Sequence, residues 1–134
     1  MTAHPVTVLL IDEQKEDRAS LRRRLLEVGS HVRVFEAASG DTGLDWVRTV
    51  QPDCIVIELR MRDVIGMEVL GRIQTELAGR RVPVVVWTVL NHVALRTTAS
   101  ALGVRAYVEK TRGSEESVVE VLRACLMRQQ GADG

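Results

Sequence analysis

No apolar run in this chain approaches the roughly 18 residues expected of a membrane-spanning helix, so its composition offers no transmembrane segment. An excess of one charge is missing as well. Lys plus Arg and Asp plus Glu number 18 each, which leaves no net field to draw nucleic acid or an acidic membrane surface. The opening Met-Thr-Ala-His-Pro has neither the basic nor the apolar region of a secretory signal, and a cytoplasmic location is expected. Cysteine is scarce, and Cys54 and Cys125 lie far apart without a CxxC spacing, which reads as two buried reduced thiols rather than a redox or metal motif. Internal repeats, linkers and low-complexity tracts are absent too. At 134 residues the chain has the size of one domain, residues 1–134 with a core over 5–127. Arg128 to Gly134 reads as a frayed tail or the start of a linker.

What is present is a set of short β-branched runs that stop at polar residues. Cys54-Ile55-Val56-Ile57 stops at Glu58 and passes through an irregular segment to Gly66, which opens an amphipathic helix. Val6 to Ile11 stops at Asp12 and Glu13, Pro83 to Trp87 at Thr88, and Ala106 to Val108 at Glu109 and Lys110. A carboxylate at the end of a buried strand is costly unless another group compensates or uses it. If these four runs are parallel strands, their polar ends share one edge of one sheet, the edge at which open α/β sheets bind ligands.

Between the runs the apolar residues recur at helical spacing. Leu21, Leu25, Leu26 and Val28 mark a helix over Lys15 to Val28, stopped by Gly29. Val32 and Val34 alternate with polar residues, as in a less buried strand near a sheet edge. Ser39-Gly40-Asp41 opens a helix with Leu44, Val47 and Val50 that Pro52 closes, and Leu70, Ile73 and Leu77 line the helix that runs to Gly79. Asn91 to Leu102 is a weaker helix rich in Thr, Ala and Ser. Ser114 is placed to cap a last helix, with Glu115 and Glu116 in its first turn and Val118, Leu122, Cys125 and Leu126 as its buried stripe. Five strands alternating with five helices predict a three-layer α/β domain built on parallel crossovers.

Asp12-Glu13 after the first strand, Met61 and Gly66 after the third, Thr88 ending the fourth, and Tyr107 with Lys110 around the fifth are similar to the receiver domain of two-component response regulators, over essentially the whole chain. The resemblance implies a doubly wound, flavodoxin-like five-stranded parallel sheet in the order 2-1-3-4-5. It implies a phosphorelay in which a strand-three carboxylate, here Glu58, stands at the phospho-acceptor position. Mg²⁺ is the implied cofactor, held by Asp12, Glu13, Glu58 and the backbone carbonyl of Arg60. Lys110 becomes the charge partner of the phosphoryl group. Thr88 and Tyr107 become a switch pair that remodels the surface of helix four, strand five and helix five.

The chain departs from that pattern at four places. Glu58 stands where the family has Asp, and its extra methylene carries the carboxylate outward by about 1.5 Å, one carbon-carbon bond. Mg²⁺ demands near-octahedral ligands at roughly 2.0 to 2.1 Å, so Glu58 and the similarly lengthened Glu13 work against it. Arg62 and Thr111 replace prolines; losing the first loosens a loop, and losing the second changes the restriction on the Lys110 peptide. Two readings of Glu58 stand. Its carboxylate partly mimics a phosphoryl group, or it pairs with Lys110 and locks an inactive conformer.

The expectation is an atypical receiver, not an enzyme beyond slow self-phosphorylation, that acts by protein–protein interaction or by forming a homodimer through helix four, strand five and helix five. The alternative is a working Mg²⁺-dependent phospho-acceptor served by a sensor histidine kinase, using Glu58 or Asp63. Asp63 also reads as a solvated loop acid, Asp12-Glu13 as a helix cap, and Arg22-Arg23-Arg24 as a solvated face or a dock for an acidic partner. His4, His31 and His92 read as surface residues, and Trp46 and Trp87 as packing residues. An unrelated flavodoxin-like ligand binder is disfavoured because no Gly-rich phosphate loop follows strand one. Direct nucleic-acid binding and membrane association are not expected of this domain, although a C-terminal effector domain outside the sequence could bind DNA.

Overall fold

The computed structural model describes residues 4–62 and 65–128. Its elements run β1 (Val6–Ile11), α1 (Lys15–Leu26), β2 (Val32–Ala37), α2 (Gly40–Val50), β3 (Cys54–Ile57), α3 (Gly66–Glu76), β4 (Val84–Thr88), α4 (Val93–Ala101), β5 (Ala106–Glu109) and α5 (Ser114–Arg128). The strands form one parallel sheet in the order β2-β1-β3-β4-β5.

Strand periodicity sorts the core into two layers. Side chains alternate along a strand, so Val6, Val8 and Leu10, Cys54 and Val56, and Val85 and Trp87 pack with Leu21 and Leu25 of α1 and Val118, Leu122, Cys125 and Leu126 of α5. Leu9 and Ile11, Ile55 and Ile57, and Val84 and Val86 face the other way, onto Leu44 and Val47 of α2, Leu70 and Ile73 of α3, and Ala99 of α4. The inner strands β1, β3 and β4 are buried on both faces but for Thr7 of β1, which explains their nearly continuous apolar runs. The edge strands β2 and β5 are only partly buried.

The same parity positions the polar strand ends. Asp12 and Glu58 continue the even positions of β1 and β3, and Lys110 continues Ala106 and Val108, so all three turn toward the α1 and α5 side. Thr88 continues Val84 and Val86, and Tyr107 packs in the α4 layer with them. Register completes the alignment: Ile11 pairs with Ile57, the Glu58 N–H bonds to the Ile11 carbonyl at 2.9 Å, and the Lys110 N–H bonds to the Thr88 carbonyl at 2.7 Å.

Local chemistry fixes the connections. The Ser39 hydroxyl accepts from the Thr42 N–H at 3.2 Å, capping α2, whose other end turns through left-handed Gln51 (φ 54°) just before Pro52. Gly66 is required for space, because a Cβ there would lie 2.2 Å from the Leu59 carbonyl oxygen.

Several sequence expectations need correction. Leu26 is 39% exposed, because the buried stripe of α1 passes through Leu21 and Leu25 and leaves it outside. The Ser114 hydroxyl accepts from the buried Trp87 indole N–H at 2.9 Å and from the Thr111 N–H at 3.2 Å, so it ties β4 to the β5–α5 connection, and Ser114 is the first residue of α5 rather than its cap. Arg22, Arg23 and Arg24 are not a uniform free run: Arg22 pairs with Glu36, and Arg24 pairs with Glu27 and Glu116. His31 is half-buried, with Nε2 2.8 Å from the Leu126 carbonyl in the last turn of α5. Asp63 and the segment 129–134 lie outside the described residues.

Candidate functional site

Lys110 is the centre of the polar edge. Its ammonium lies 2.6 Å from Asp12 Oδ2, 2.8 Å from Asp17 Oδ2 and 3.0 Å from Glu58 Oε1. An ammonium has three donor hydrogens, and three carboxylates surround this one. The cluster joins β1, α1, β3 and the end of β5. Asp12 and Glu58 are nearly inaccessible, at 4% and 3% exposure, so their charges need this partner.

Glu58 is held from three directions. Besides Lys110, its Oε2 accepts from the Arg60 N–H at 2.9 Å, and its Oε1 accepts from the Val89 N–H at 3.2 Å. The longer side chain thereby spans from β3 to the β4–α4 connection. Asp12 Oδ1 accepts from the Gln14 N–H at 2.9 Å, and Arg18 donates to the Asp12 carbonyl at 2.6 Å while pairing with Glu36. A cavity of about 340 Å³, lined by Gln14, Asp17, Glu58, Arg60 and Val89, opens beside the acids.

The balance of charge shows in the ionisation of the pair. Burial alone would lower the pKa of Lys110, but its hydrogen bonds to Asp12 and Asp17 and the charges of Asp12 and Glu58 outweigh burial and hold it above the ordinary lysine value. Burial raises Asp12, and the Lys110 and Gln14 bonds do not fully offset it. The Lys110 direction follows from one ammonium being shared among several carboxylates, and the Asp12 direction from its burial.

Not every expected site residue joins this centre. The Glu13 carboxylate accepts from the Arg62 N–H and faces the Arg62 guanidinium at 4.0 Å, away from Lys110. The contact Arg60 makes with Glu58 is through its N–H. Thr88 is fully buried and its hydroxyl accepts from the Leu90 N–H at 3.1 Å. Tyr107 donates its hydroxyl proton to the Leu90 carbonyl at 2.7 Å, so the two expected switch residues meet at one peptide segment. Burial raises the Tyr107 pKa, opposed by Arg96 and reinforced by Glu58 and Glu109.

Mg²⁺ fits this arrangement poorly. The donors it would take from Asp12 and Glu58 are engaged by the Lys110 ammonium and by backbone N–H groups, and Glu13 is turned to Arg62. Among the described residues no group of three His, Cys, Asp or Glu side chains is arranged to hold a metal. Asp17 and Arg96 were missed by sequence reasoning. Asp17 carried a faint signal, an acid in the first turn of the helix that starts beside Asp12, but first-turn acids are common for dipole reasons alone.

A parallel sheet covered on both faces, gathering its charged residues at the carboxyl ends of its strands, is the construction of flavodoxin-like proteins, and geometry alone goes that far. Comparison with known proteins narrows it: the response regulator receiver domain family matches residues 8–123, and the chain belongs to that family. It is 31% identical over 130 residues to response regulator MprA of Mycolicibacterium vanbaalenii, covering 97% of this chain and 54% of that protein. It is 30% identical over 113 residues to the nitrate/nitrite response regulator protein NarL of Escherichia coli K12, covering 84% of this chain and 51% of that protein. The chain thus spans about half the length of these relatives. Among solved structures, the Vibrio cholerae chemotaxis protein CheY4 superposes with a TM-score of 0.77 at 20% identity, covering 91% of this chain and 99% of that one, which supports the fold. The protein is therefore a receiver domain of a two-component response regulator. Among the described residues no helix is long and apolar enough to cross a membrane.

Proposed function

We propose that this receiver domain signals without efficient uptake of phosphate, as an interaction module with Glu58 serving as a built-in anion. The observation that carries this reading is the engagement of the Glu58 carboxylate by Lys110, the Arg60 N–H and the Val89 N–H at 3.2 Å or less. A nucleophile so bonded must give up several contacts to attack a phosphodonor, and its charge partner Lys110 is already shared with Asp12 and Asp17. In this reading the domain is not an enzyme beyond slow self-phosphorylation, and it works in the cytoplasm. Its partners are a sensor histidine kinase or another signalling protein, a second copy through α4, β5 and α5, and an effector domain of the kind that the greater length of its relatives leaves room for.

The 340 Å³ cavity beside Glu58 favours a second reading, a Mg²⁺-dependent phospho-acceptor. Tryptophan fluorescence separates the two, because the Trp87 ring lies 5.0 Å from the Lys110 ammonium and reports on the centre. Millimolar Mg²⁺ is expected to leave the emission unchanged. A saturable Mg²⁺-dependent change, enlarged by a small-molecule phosphodonor, would replace the first reading with the second.

A further inference from the structure

Strand parity and one hydrogen bond bring the two cysteines together. Cys54 begins β3 and turns its side chain into the core layer between the sheet and helices α1 and α5. Cys125 enters the same layer from the last turns of α5, beside Leu122 and Leu126. Its Sγ donates to the Asp53 carbonyl oxygen at 3.5 Å, so the sulfur rests against the peptide bond that joins Asp53 to Cys54. The residues of that contact are 72 apart in sequence, and no short Cys spacing announces it. Both cysteines are buried thiols.

Access separates the two. Cys54 is fully buried, whereas Cys125 keeps 6% exposure near the end of its helix. The next residue, Leu126, has its carbonyl 2.8 Å from His31 Nε2, so the turn that carries Cys125 is held at two successive residues. A small oxidant therefore reaches the Cys125 sulfur first, and Cys54 supplies the neighbouring nucleophile. We propose that Cys54 and Cys125 are an oxidisable pair that a hydroperoxide closes into an intramolecular disulfide, tethering the end of α5 to β3. The Cys125 thiolate attacks one peroxide oxygen, the O–O bond breaks, and Cys125 becomes a sulfenic acid while the other oxygen leaves as water. The Cys54 thiolate then attacks the Cys125 sulfur, forming the S–S bond and expelling the sulfenic oxygen as water. With hydrogen peroxide, two thiols become one disulfide and one peroxide becomes two waters, the thiol protons leaving on the departing oxygens. The pair does not depend on the reading of Glu58.

A disulfide requires its two Cα atoms within about 7 Å, so cross-linking of the folded chain is itself the geometric test. The unaltered protein, folded and without phosphodonor, is treated with hydrogen peroxide, alkylated, digested and mapped by mass spectrometry. The expected product is a monomer lighter by two hydrogens in which the Cys54 and Cys125 peptides are joined, and dithiothreitol restores the original mass. Amide exchange in the last turn of α5 is expected to slow several-fold on oxidation and to recover on reduction. Cys54→Ala should leave Cys125 trapped as a sulfenic acid that dimedone captures, and Cys125→Ala should leave Cys54 unmodified. The peptide map of the unaltered protein decides the pairing even where a variant does not fold. Oxygen added to methionines alone, a cross-link that forms only in denaturant, or disulfide-linked dimers in place of the cross-linked monomer would overturn the pair. Oxidation of Cys54 in Cys125→Ala as fast as that of Cys125 in Cys54→Ala would overturn the order of attack.

Discussion

Lys110 is the residue on which the electrostatics of the edge depend. Replacing it with Met leaves Asp12, Asp17 and Glu58 facing one another, two of them almost wholly buried. The expected cost at neutral pH is about 3–5 kcal/mol, as for other broken buried pairs, measured by urea unfolding. The Lys110 pKa is raised in the folded state, so its contribution is fully present below the ordinary lysine value and is lost as pH rises through the higher folded value. Asp12 has the same sense, in a lower pH range. Its raised folded pKa means that ionisation costs stability as pH climbs above the ordinary carboxylate range. Asp12→Asn should therefore match the unaltered protein in acid and become relatively more stable as pH rises toward neutrality, a trend that thermal unfolding across pH would show. Asp12, Glu58 and Lys110 were legible in the sequence because each ends an apolar run. Asp17 was not, since a helix places it beside Lys110 from 93 residues away with no pattern that distinguishes it from an ordinary first-turn acid.

At the scale of elements, the long apolar runs and helical stripes were enough to place all ten elements, because burial on both faces of β1, β3 and β4 leaves little choice of residue. The ends were less legible. The helix from Lys15 stops at Leu26 rather than Val28, and Ser114 is drawn into a hydrogen bond with Trp87, a contact between residues 27 apart that no local pattern announces. Gly66 was legible as a helix start, but its reason, the Leu59 carbonyl against its Cα, appears only in three dimensions. Gly66→Ala forces the β3–α3 connection to move and should destabilise by about 1–3 kcal/mol, read from the denaturation midpoint. A midpoint equal to that of the unaltered protein would mean that the connection yields freely.

For the whole molecule, the fold is that of a receiver domain, with Glu58 standing at the acceptor position. The strand order came from the resemblance, and the paired registers of the sheet bear it out. The state of the edge could not be read from sequence. It depends on where the Glu58 carboxylate points, and the structure turns it onto Lys110, Arg60 and Val89. Family membership sets the expectation of phosphoryl transfer, and the contacts of Glu58 are the support for the proposed departure from it.

The most direct test is the intact mass of the protein after incubation with a small-molecule phosphodonor and Mg²⁺, beside that of Glu58→Asp. The account predicts an unmodified mass for the natural sequence and one added phosphoryl group on Glu58→Asp. A phosphoryl adduct on the natural sequence would contradict it.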